Sequence, residues 1–156
     1  MKKYLLATIL MTITVVCFAQ DSTKKVERKF IDRTPGYSKS VSVKANGVTT
    51  VYISGLTGEG NTFEEQTRKA FNNILAALKA NNATLSQIVK MNTYIVNINA
   101  QSVDTFRAIR KEVFGIKNIS TENDGMPAST LLGVPALAEK GKLIEIEAIV
   151  VLDEIK

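Results

Sequence analysis

Between residues 40 and 55 apolar and polar residues alternate. "SVSVKA" (40–45) and "TTVYISG" (49–55) put every second side chain on one side, the period-two signature of strands. "NG" at 46–47 between them marks a two-residue hairpin turn, and "PGY" at 35–37 marks an earlier turn followed by an aromatic. Beyond the glycine-rich loop "LTGEGN" (56–61) the period changes. Thr62 and Glu65 have capping-box spacing, and Phe71, Ile74, Leu75 and Leu78 follow at intervals of three and four. That is a helix with one buried face, ending near Asn81-Asn82. "TLSQIVK" (84–90) leads into a third strand, "MNTYIVNI" (91–98). Ser102 can cap a second helix with the stripe Val103, Phe106, Ile109 and Val113 and a stop at Gly115. An irregular loop, "IKNISTENDGMP" (116–127), precedes a fourth strand, "ASTLLGV" (128–134). "KLIEIEAIVVL" (142–152) is the fifth and the richest in Ile and Val.

The order ββαβαββ predicts an α+β fold in which two helices cover one face of a single mixed sheet. The last strand distinguishes the faces. Ile144, Ile146, Ala148 and Val150 are all apolar and suit burial under the helices. Leu143, Glu145, Glu147, Ile149 and Val151 point the other way, apolar but interrupted by two acids. An uncovered face of this kind predicts an oligomer, with the acids as a polar site on its interface.

The chain has 156 residues, enough for one domain with a real core and not for two. Its ends divide it further. "MKKYLLATILMTITVVCFAQ" has a basic start at Lys2 and Lys3, an apolar run, and small residues at Cys17 and Ala19, the pattern of a secretory signal peptide over 1–19. The rival readings are a retained N-terminal anchor and a lipidated Cys17. Lipidation calls for a small residue before the cysteine, where Val16 stands. Residues 20–36 read as a polar lead-in and 37–153 as the folded domain. With the signal peptide removed the protein is expected to be exported, periplasmic or secreted, with no membrane association and a net charge of +3. The run Lys24, Lys25, Arg28, Lys29 then reads as a solvated tail. It lacks the aromatics and larger excess of charge of a nucleic-acid surface, so no nucleic-acid partner is expected.

Composition narrows the chemistry sharply. The chain has no histidine, and a mature chain from Gln20 has no cysteine. That removes the commonest general base, the commonest metal ligand and any thiolate. "GLTGEG" lacks the lysine and spacing of a phosphate loop. Glu122 and Asp124 are too few for an all-oxygen metal site, so no metal is expected. Chemistry must rest on carboxylates, hydroxyls, Arg, Lys, Tyr or the backbone. Glu145 and Glu147 are the outstanding pair. Each could be solvated or paired with a cation, but buried carboxylates are costly unless partnered, and a pair on an interface face is a candidate site.

"SGLTGEG…EEQTRKAFNNILAALKANNATLSQIVKMNTYIVNI", followed by "PASTLLGV…LIEIEAIVV", resembles the RidA/YjgF family of reactive-intermediate deaminases. The resemblance runs from about Tyr37 to Val151, and its most specific parts are Ser54-Gly55, "EEQTR" and "EIEAI". It implies a chorismate-mutase-like (YjgF-type) fold, a homotrimer with a central barrel of sheets, and ligand clefts between subunits. It also implies cofactor-free hydrolysis of enamines or imines to a 2-oxo acid and ammonia. In active members an arginine in a P-A-R-S/T motif grips the substrate carboxylate. The first Glu of "EIEAI" holds and polarises the attacking water, and a Tyr and a Ser-Gly line the pocket. Residue by residue, Glu145 takes the place of the catalytic Glu, Tyr37 of the Tyr, and Ser54 and Gly55 of the Ser-Gly. Glu147 is then structural, satisfied within the trimer interface.

One position departs from the family. The motif reads Pro127-Ala128-Ser129-Thr130, with Ser129 where the arginine belongs. A serine supplies neither the charge nor the two parallel hydrogen bonds of a guanidinium. Ser129 and Thr130 remain substrate-binding candidates. Arg107, on the second helix near a pocket-side position, is a candidate replacement cation; the alternative is a solvated helix residue. Three functions stay open: an imine or enamine deaminase, a non-catalytic trimeric small-molecule-binding module, and, least favoured by the charge and the lack of histidine, an endoribonuclease.

Overall fold

The computed structural model describes residues 25–116 and 125–153. The segment 1–19 with Cys17, where a signal peptide is expected, the basic Lys24, and the loop acids Glu122 and Asp124 lie outside the described residues. Strands β1 (Glu27–Thr34), β2 (Tyr37–Ala45) and β3 (Val48–Thr57) come first, then helix α1 (Phe63–Ala80). A 3-10 turn at Leu85–Gln87, strand β4 (Ile88–Val96), helix α2 (Ala100–Val113) and strands β5 (Ala128–Val134) and β6 (Ile144–Asp153) complete the chain. One sheet carries the strands in the order β1-β2-β3-β6-β4-β5. The β4–β5 pair is parallel and the others are antiparallel, so the sheet is mixed.

The sheet has six strands where the pattern of apolar positions predicts five. The addition is β1, inside the polar lead-in, paired with β2 from Glu27↔Lys44 to Thr34↔Tyr37. It is an edge strand, exposed at nearly every position. Backbone hydrogen bonds to β2 need no apolar face, so "ERKFIDRT" carries no burial signal to read. The hairpin between β2 and β3 follows expectation, with Asn46 at φ 54° and Gly47 at φ 78°, the left-handed pair of a type I′ turn.

Helix α1 begins as its sequence predicts. The Thr62 hydroxyl accepts from the Glu65 amide at 3.2 Å, and the Glu65 carboxylate accepts from the Thr62 amide at 3.3 Å. Helix α2 is capped by Asn99 instead of Ser102. Asn99 Oδ1 accepts from the Ser102 amide at 2.9 Å and Ser102 Oγ accepts from the Asn99 amide at 3.0 Å. Both residues can cap; β4 ends at Val96, so the chain turns early enough for Asn99 to take the cap and leave Ser102 the reciprocal role.

The core fills the space between the helices and one sheet face. Phe71, Ile74 and Leu78 of α1 and Phe106 and Ile109 of α2 meet Val51, Ile53, Met91, Ile95, Ile144, Ile146, Ala148 and Val150. Leu75, at the margin of the α1 stripe, stays exposed. Phe71 and Phe106 stack with ring centroids 5.8 Å apart and join the two helices. The other sheet face has no covering element among the described residues, and Phe30 and Tyr52 stand half exposed on it. Phe71 is fully buried, so Phe71→Ala should lower the unfolding free energy by about 3–5 kcal/mol in denaturant titration.

Candidate active site

The site grows from an irregularity between β3 and β6. Ile53 pairs with Ala148, but Leu56 pairs with Ile146, so β3 spends one residue more than β6 over this step. That is a β-bulge, and it falls on Ser54-Gly55. Ser54 Oγ donates to the Ser38 carbonyl at 2.7 Å and ties the bulge to β2. Gly55 has no side chain, and the Glu145 carboxylate lies across it. A Cβ at position 55 would overlap the Glu145 side chain. The bulge and the glycine together let an acid from β6 fold over the neighbouring strand.

Glu145 and Glu147 share the open face, as their spacing predicts, but their surroundings differ. Glu147 stands opposite Asn92 on β4. Its Oε1 accepts from Asn92 Nδ2 at 2.7 Å and from the Tyr94 hydroxyl at 3.2 Å. Glu147 is therefore satisfied by its own chain, a correction to the expectation that a subunit interface satisfies it. Glu145 has no hydrogen-bond or ion-pair partner among the described residues. Burial, then the charge of Glu147, then that of Glu139, pushes its carboxyl above the ordinary 4.5. The Tyr94 phenol is likewise pushed up, first by burial and then by Glu147. The pair thus divides into an acid fixed by hydrogen bonds and one whose proton affinity is raised, the kind of group that can take a proton from a ligand or a water molecule.

Tyr37 begins β2 next to Ser38, the anchor of the bulge, and its ring is exposed. Tyr37, Ser54, Gly55 and Glu145 therefore gather at one end of the sheet. Thr130 also faces the open side, further along, where Lys90 Nζ donates to its hydroxyl at 2.6 Å. Ser129 does not join them. It pairs with the buried Met91 and so faces the helices, where Arg110 Nη1 donates to its hydroxyl at 3.1 Å. Arg107 borders the same recess and makes a loose, exposed ion pair with Asp104 at 3.9 Å.

Sequence reasoning considered Arg107 and missed Arg110, the arginine that touches Ser129. A signal was present: Arg110 is four residues after Phe106, so it edges the buried stripe of α2, an unusual place for a charge. It also missed Asn92 and Tyr94, which hold Glu147, because cross-strand partners follow from register and register was not legible.

Three substitutions test this arrangement. Gly55→Ala should leave the protein folded but displace the Glu145 carboxylate, and so shift the Glu145 titration seen by side-chain carboxyl NMR. Glu147→Gln should lower the Glu145 pKa toward the ordinary value by removing a like charge. Glu147→Ala should also destabilise by about 1–3 kcal/mol, since Asn92 and Tyr94 lose their acceptor. An unmoved Glu145 titration in both Gly55→Ala and Glu147→Gln would contradict the arrangement.

Comparison with known proteins agrees with the fold. The family model described as Endoribonuclease L-PSP matches residues 29–152. A 2-iminobutanoate/2-iminopropanoate deaminase from Dermatophagoides farinae is 30% identical over 125 residues, covering 75% of this chain and 86% of that protein. Among solved structures, a member of the YjgF/YER057c/UK114 family from Mycobacterium tuberculosis superimposes with a TM-score of 0.63 at 26% identity, over 81% of this chain and 100% of that one. A YjgF-family protein from Neisseria meningitidis gives 0.62 at 20% identity, over 83% and 98%, a likeness of fold. The chain belongs to the Endoribonuclease L-PSP family, the RidA/YjgF family that its motifs resemble.

Proposed function

We propose that this protein is a hydrolytic deaminase of small reactive imines and enamines, acting as a homotrimer at clefts between copies. The observation that carries it is the Glu145 carboxylate: unpartnered, raised in pKa and held over Gly55 at the bulge. The deaminase relative supports the substrate class. The half-exposed apolar residues of the open face support the oligomer.

In this mechanism Glu145 accepts a proton from a water molecule as its oxygen attacks the imine carbon. The C=N π pair becomes a lone pair on nitrogen and a carbinolamine forms. Glu145 returns the proton to nitrogen, which completes the carbinolamine, then takes its hydroxyl proton and delivers it to the amine as the C–N bond breaks, so that ammonia leaves and the ketone remains. One molecule of water is consumed and one of ammonia released, with no redox change. The raised pKa makes Glu145 a stronger base than an ordinary carboxylate, and Tyr37 and Ser54 border the approach.

The N-terminal twenty residues support export, with a mature chain beginning at Gln20. A substrate formed or encountered outside the cytoplasm follows from that proposal.

The test is ammonia release from enzymatically generated 2-iminobutanoate and from neutral imines. Glu145→Gln should lower the rate by about a hundredfold or more. The rate should also fall on the acid side with a midpoint above 4.5, because a raised pKa protonates the base at higher pH as the solution is acidified. Ammonia release at the buffer rate on every substrate would reject catalysis. With a small molecule still bound in the cleft, that result would favour the binding module, a reading supported by the serine at 129.

A further inference from the structure

Among the described residues Arg110 is a cation held in place without an anion. Its guanidinium lies over the Phe106 ring at 5.4 Å from the centroid and donates Nη1 to Ser129 Oγ at 3.1 Å. Among the described residues no carboxylate pairs with it. Desolvation, and then the charge of Arg107, lowers its pKa. Both penalties are ones that a bound anion relieves. Phe106, Arg107, Arg110, Ser129 and Leu131 line a recess of about 240 Å³.

The donors are suitably free. A guanidinium has five N–H groups in a fixed fork, and one of them is engaged with Ser129. Because that contact uses the serine oxygen as acceptor, the Ser129 O–H is left to donate elsewhere. The flat fork matches a planar carboxylate, and the half-buried Leu131 beside it can meet a short alkyl chain, while Phe106 lies buried beneath the guanidinium.

We propose that Arg110, with the Ser129 hydroxyl and with Arg107 at the rim, forms the carboxylate-binding subsite of this protein. The charge absent from position 129 is supplied to the same place by α2. This rests on the proposed function only in taking the anion to be the substrate's carboxylate. Ser129 and Arg110 face the helices and Glu145 faces the open side, so one chain does not present both to one ligand. The subsite of one copy serves the Glu145 of another.

Binding is measured apart from turnover, by calorimetry with 2-oxobutanoate, a stable 2-oxo acid, and separately with inorganic phosphate. The unaltered protein should bind 2-oxobutanoate more tightly than phosphate. Arg110→Gln should weaken 2-oxobutanoate binding roughly thirtyfold or more. Arg110→Lys, which keeps the charge and loses the fork, should fall between. Arg107→Gln should have a smaller effect, and Glu145→Gln should bind while failing to turn over. Binding unchanged in Arg110→Gln, no 2-oxobutanoate binding by the unaltered protein, or binding of phosphate in preference, would each overturn the subsite. Binding that depends on Arg110 with no ammonia release from the unaltered protein would leave the subsite standing and reject the deaminase.

Discussion

Strand alternation gives this sheet two faces, and the chain has helices for one of them. Ile144, Ile146, Ala148 and Val150 of β6 disappear beneath α1 and α2, while Glu145, Glu147, Ile149 and Val151 stay partly open on the other side. The position of Glu145 follows from that asymmetry. The open face carries exposed apolar residues, the ground for proposing that copies assemble over it, and acids placed on it are partly desolvated without being sealed in the core. Glu145 therefore sits on a strand whose other side is buried in the core.

Within that face, local backbone geometry separates two residues that the sequence leaves alike. Glu147 meets Asn92 and Tyr94 across a regular ladder and is held by both. Glu145 lies two residues nearer the start of the strand, where β3 bulges and Gly55 opens a path for the carboxylate. The fixed charge of Glu147 then acts on Glu145 with its own hydrogen-bond demand already met. A base of raised pKa is produced without histidine, by burial and by a neighbouring like charge.

Much of this was legible in the sequence, and the limits have physical reasons. The helices, the Asn46-Gly47 turn, β5 and the division of β6 into two faces follow from periodicity and turn chemistry. Strand β1 escaped because an exposed edge strand is held by its backbone. The cap of α2 was misplaced by three residues because Asn99 and Ser102 satisfy the same donors in reciprocal roles. At the site, Glu145, Ser54 and Gly55 gather as the motifs imply. The partners of Glu147 and the reach of Arg110 to Ser129 depend on register and on long side chains crossing between elements, which no local pattern encodes. The contact of Arg110 with Ser129 is hidden for the same reason: the sequence shows which residue stands at a position and not which neighbour leans over it.

The central claim is that a working site is shared, with Glu145 from one copy and Arg110 with Ser129 from the next. Mixed oligomers test it most directly. Chains carrying Glu145→Gln and chains carrying Arg110→Gln are each expected to be inactive alone; they are denatured together and refolded as an equal mixture. In a ring of identical interfaces, random mixing should unite an intact Glu145 with an intact Arg110 in about a quarter of the sites, restoring about a quarter of the unaltered rate of ammonia release. A mixture no more active than the two variants measured apart, in oligomers shown to contain both chains, would contradict the shared site.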